Sequence, residues 1–70
     1  MLHDLATFAS RFNVSHKDAY VLPALFERSA AKVGMTPRAL VAEATFRNRA
    51  LGEYMADAAR KVAVADREAA

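Results

Sequence analysis

Seventeen of the 70 residues are alanine, while glycine and proline occur only twice each. Alanine gives up no side-chain entropy on entering a helix and has the highest helix propensity of any residue. Leu, Arg, Lys, Glu and Met, which also favour helix, supply much of the rest. No segment shows sustained apolar–polar alternation with β-branched residues, the pattern of a half-buried strand. The expected fold class is all-α: a small bundle of four helices, or five if the second segment is divided. Alanine also limits the core. Hydrophobic residues are 54% of the chain, yet only 21 are larger than alanine, and none is Ile or Trp. A chain this short buries only about 60% of the surface it exposes when unfolded. A single helical domain over residues 1–66 is expected, with 67–70 as a frayed tail.

Periodicity and caps place the helices. Leu2, Leu5, Phe8, Ala9 and Phe12 fall on one stripe, so the first segment runs from about Leu2 to Phe12. Asn13-Val14-Ser15 breaks it. Ser15 is a suitable N-cap, and Asp18 three residues on completes a capping box. The second segment continues to about Val33, with Ala19, Leu22, Leu25, Phe26, Ala30 and Val33 on its apolar face. Pro23 either kinks or divides it, because proline suits a first turn and not a helix interior. Gly34 ends it as a left-handed C-terminal residue. Thr36-Pro37 opens a third helix, a hydroxyl cap followed by proline, which carries Leu40, Val41 and Ala44 inward and ends near Arg47. Asn48 caps a fourth from about Arg49 to Ala65, on which Leu51, Met55, Ala58, Val62 and Ala65 recur with Tyr54 beside them.

The residue types exclude most chemistry. Without cysteine there are no disulfides, zinc–thiolate sites or thiol nucleophiles. His3 and His16 are the only histidines, lie on different segments, and read as surface residues. Metal ligation needs three or four such groups together. Gly34 and Gly52 stand too far apart for a phosphate-binding loop. No enzyme activity, cofactor, metal or small-molecule substrate is expected. No apolar run approaches the roughly 18 residues of a membrane span, and no signal-peptide core is present, so a cytoplasmic protein without membrane contact is expected.

One pattern occurs twice. Ala9-Ser10-Arg11-Phe12-Asn13-Val14-Ser15 is echoed by Ala30-Ala31-Lys32-Val33-Gly34-Met35-Thr36: small residue, any residue, basic, apolar, turn, apolar, hydroxyl cap. Such a run encodes a helix, a tight left-handed turn and a capped second helix. From Phe8 to Pro23 the first copy resembles the helix-turn-helix of bacterial and phage repressors. Phe8 and Ala9 match the supporting helix, and Phe12-Asn13-Val14 matches the apolar-turn-apolar centre, with Asn13 where glycine is usual. Ser15, Ala19 and Leu22 match the cap and buried positions of the recognition helix. The resemblance implies that His16, Lys17 and Tyr20 face the major groove of double-stranded DNA. The second copy places Glu43 where a buried apolar residue belongs, and Val41 and Ala42 where DNA would be read. It reads as a structural corner.

Charge and apolar surface define two function classes. The net charge is +2. Arg11, Lys17, Arg38, Arg47 and Arg49 form a candidate phosphate-contacting surface, with Asp18 on the proposed recognition helix counting against it. The ordinary alternative is a solvated face of weak ion pairs, such as Glu53 and Asp57 against Arg60 and Lys61. Val21 and Phe46 leave the stripes of their helices, and Leu51, Tyr54, Met55 and Val62 run along the fourth. These are candidate interface residues, and a homodimer would bury them. The two expectations are a homodimeric helix-turn-helix DNA-binding regulator or accessory factor, and a helical module that binds a larger protein partner.

Overall fold

The computed structural model describes residues 2–70, with side chains from Asp4 onward. The expectations for the Leu2 and His3 side chains lie outside these. All regular structure among the described residues is helical: α1 (Leu2–Arg11), α2 (His16–Ala19), α3 (Leu22–Val33), α4 (Pro37–Ala42) and α5 (Arg49–Ala69). A π-helical turn over Glu43–Arg47 continues α4. The described residues are all-α with five helices, because Pro23 divides the second segment. It sits in the first turn of α3, where its missing N–H has no partner to lose. That leaves α2 as a single turn.

Both copies of the repeated pattern close in the same way. Asn13 and Gly34 adopt left-handed backbone, φ 56° and 71°. The Val14 N–H donates to the Ala9 carbonyl and the Met35 N–H to that of Ala30, each at 2.9 Å. Bonds from Asn13 N–H to Ser10 and from Gly34 N–H to Ala31 complete two Schellman turns. Val14 then fills its corner, whereas Met35 stays partly exposed. The buried stripe of α3 ends at Ala30, so Val33, expected inward, is exposed.

The caps of α4 and α5 form as expected. Thr36 Oγ1 accepts from Ala39 N–H at 3.1 Å, and Asn48 Oδ1 from Leu51 N–H at 3.0 Å. The capping box of α2 does not. Ser15 makes no side-chain bond to a backbone N–H; its hydroxyl donates to the Asp18 carboxylate at 3.1 Å. Asp18 is turned inward to meet Arg67 of α5 at 2.8 Å, which draws the hydroxyl with it. Arg67 and Asp66, whose carboxylate accepts the Tyr20 hydroxyl, hold the end of α5 against α2. The helix therefore runs to Ala69, through the residues expected to fray.

Phe8 and Phe26 meet edge to face at 5.0 Å in the centre of the core, with Phe12 tilted against Phe8. Leu22, Leu40, Val41 and Met55 complete it. On α5 the buried residues are Gly52, Met55, Ala56, Ala59 and Ala63, so of the expected Leu51–Met55–Ala58–Val62–Ala65 series only Met55 is fully buried, and the rest of the stripe is of small residues one face round. The rotation follows from close approach. A Cβ on Gly52 would lie 2.5 Å from the Ala44 carbonyl oxygen and closer still to the Phe12 ring. Three of the expected interface residues are covered, wholly or in part, within the monomer. Val21 and Met55 belong to the core, and Leu51 packs against it half-buried. Phe46, Tyr54 and Val62 are exposed.

Candidate nucleic-acid interface

The end of α1, the π-turn and the first half of α5 enclose a groove of about 660 Å³. Arg49, Glu53, Ala56 and Arg60 line it from α5, at steps of four, three and four residues along one helix face. Arg11 and Phe12 line it from α1, and Phe46 and Arg47 from the π-turn. The contact at Gly52 draws these three segments together.

The π-turn shapes one wall. The Asn48 N–H donates to the Glu43 carbonyl, five residues back, at 2.8 Å. Each such bond encloses one residue more than an α-helical bond. Within the turn the buried Thr45 hydroxyl donates to the Val41 carbonyl at 2.6 Å. Phe46 is turned outward and is 65% exposed. The Arg11 guanidinium lies 5.9 Å from its ring centroid, within cation–π range.

Arg60 is the best-fixed cation. Its Nη2 donates to the carbonyls of Phe12 at 2.8 Å and Asn13 at 3.3 Å. These carbonyls close α1, where the helix end favours positive charge. The guanidinium is thus oriented without being neutralised. Arg49 pairs with Glu53 at 3.6 Å, an exposed contact worth little. Arg11, Arg47 and Arg60 have no ion pair among the described residues. Four arginines thus face one carboxylate among the groove residues. That excess of three exceeds the +2 of the whole chain, so the rest of the molecule is slightly acidic.

The groove gathers Arg11, Arg47 and Arg49 from the expected phosphate-contacting set. Arg38 lies apart. It pairs with Asp4 at 3.7 Å and lines a smaller hollow, about 170 Å³, with Val41 and Phe46. Phe46 borders both concavities. His16 and Lys17 are exposed on α2, outside the groove. Tyr20 follows α2 and is bonded to Asp66, which raises its hydroxyl pKa. Asp18, suspected of opposing DNA, is buried, and the Arg67 hydrogen bond holds its carboxyl below the ordinary range.

Two groove residues escaped the sequence reading in this role. Arg60 was treated as a partner for acids, although its spacing from Arg49 and Glu53 already put it on their face. Phe46 was expected as an interface residue. The π-turn that presents it has no sequence signature. No described helix is long and apolar enough to cross a membrane, and no described His, Asp and Glu cluster is placed to hold a metal ion. No family model, curated protein or solved structure matches the chain.

Proposed function

We propose that this chain is a small, non-enzymatic DNA-binding protein, a regulator or accessory factor, that grips the phosphate backbone in its arginine groove. The observation that carries this reading is the convergence of Arg11, Arg47, Arg49 and Arg60 from three separate segments on one concavity with a single carboxylate. Guanidinium groups pair with phosphate oxygens through two parallel hydrogen bonds. Each phosphate neutralised releases counterions, which drives binding at low salt. The helix-turn-helix mode has less support than the groove. One turn of helix carries His16 and Lys17, and Tyr20 is engaged elsewhere.

Fluorescence anisotropy of a labelled DNA of arbitrary sequence tests the reading. If each arginine neutralises a phosphate, log affinity falls with log salt at a slope of about −3 to −4 on duplex DNA. No binding at low salt by the folded protein contradicts it.

The second reading is a protein-interaction module, favoured by Tyr54 at 69% exposure and by Phe46. Aromatic side chains are enriched in interface cores. The homodimer has lost much of its support, since the monomer itself covers Val21, Leu51 and Met55. Tyr54 and Val62, on the outer side of α5, are what a second copy would use.

A further inference from the structure

We infer that the groove takes single-stranded DNA, with one base laid on the Phe46 ring. The inference rests on the DNA-binding reading and deepens it. Duplex recognition in the helix-turn-helix manner needs a helix projecting into a major groove about 12 Å wide. Here the helix in that place is a single turn. The basic residues line a concavity instead. The paired backbones of a duplex need a saddle or a projecting element.

Phe46 supplies what a single strand requires beyond charge. Proteins that hold single strands combine a positive groove with aromatic rings on which bases stack. The ring is 65% exposed at the junction of the groove and the hollow that holds Arg38. The Arg11 guanidinium is close enough to stack on it and to meet an adjacent phosphate. Arg47, the next residue, continues the π-turn wall, and Arg49 lines the groove from the start of α5. In the free fold the Phe46 ring has the Arg11 guanidinium near it, 5.9 Å from its centroid, and most of its surface stays open to solvent. Stacking a base would use the ring, and the neighbouring guanidiniums would hold the phosphates on either side.

The test is a set of titrations of the full chain at low salt, followed by anisotropy. The probes are an oligothymidylate, an abasic strand of equal length and a duplex. Phe46→Ala should weaken the base-bearing strand about 5- to 160-fold and leave the abasic strand unchanged. The wild type should prefer the single strand to the duplex at least tenfold. The chain contains no tryptophan, so Phe46→Trp places a sole indole at the site. Its emission should be quenched by the base-bearing strand and not by the abasic one. Circular dichroism confirms that both variants fold. Equal effects of Phe46→Ala on the base-bearing and abasic strands, no selective quenching, or tighter duplex binding would overturn the single-strand assignment while leaving DNA binding standing. No binding of any of the three probes would remove the DNA-binding reading itself.

Discussion

Gly52 decides how closely the parts of the groove approach one another. Its missing side chain lets the Phe12 ring and the Ala44 carbonyl rest on α5. An added methyl group would meet a backbone oxygen that cannot rotate away, so the π-turn and α1 must move off the helix. Gly52→Ala should therefore destabilise the fold by about 1–3 kcal/mol, despite alanine's better helix propensity. A urea melt reads this directly; an unchanged midpoint would mean that the approach is looser than described. Gly34 is the contrasting case. No atom lies within 4 Å of a Cβ placed there, and only its φ of 71° asks for glycine. Asn13 meets the same backbone demand at φ 56°. Asparagine tolerates left-handed backbone better than most residues with side chains, which is why the two copies close alike.

Among elements, the clasp between α2 and the end of α5 has a pH signature. The Arg67 hydrogen bond at 2.8 Å depresses the Asp18 pKa, aided by the Ser15 hydroxyl and opposed by burial. The unfolded chain therefore takes up this proton at a higher pH than the folded one. The clasp contributes fully above the ordinary carboxylate range and is lost as pH falls below about 4. Thermal melts between neutral and acid pH should show this loss, and Asp18→Asn should flatten it. An acid limb identical in the variant would assign the loss to other carboxylates.

The clasp also marks how far the elements were legible. Helix starts at Thr36-Pro37 and Asn48 could be read because a cap is a local bond between residues three apart. The turns at Asn13 and Gly34 were legible for the same reason. What could not be read depends on distant partners. Asp18 was assigned to a capping box because Arg67 lies 49 residues away. The hold on the end of α5 through Asp66 and Arg67 is likewise a contact with residues far away in the chain. On α5 the expected stripe places Met55 inward correctly, but its other members, Leu51, Ala58, Val62 and Ala65, are not the ones that are fully buried. Beside Met55 the inward residues are Gly52, Ala56, Ala59 and Ala63, and the absent side chain at Gly52 admits the Phe12 ring. Of the groove, Arg11, Arg47 and Arg49 were named as phosphate contacts. Their convergence depends on the π-turn and on Gly52, which sequence periodicity does not reveal.

Taken whole, the molecule is polarised. One concavity holds an excess of three positive charges, and the remaining surface is slightly acidic. The far end of α5, with Asp66 and Arg67, secures α2 rather than presenting it as a free reading head. On the reading proposed above, DNA meets the groove end, where α1 finishes and α5 starts. Amide chemical shifts of the isotope-labelled chain, followed during titration with a short DNA strand at low salt, separate the two ends in one experiment. The expected result is that shifts concentrate at Arg11, Phe46, Arg47, Arg49 and Arg60, with His16, Lys17 and Tyr20 almost unmoved. Shifts centred on His16, Lys17 and Tyr20 would contradict it and return the reading to α2.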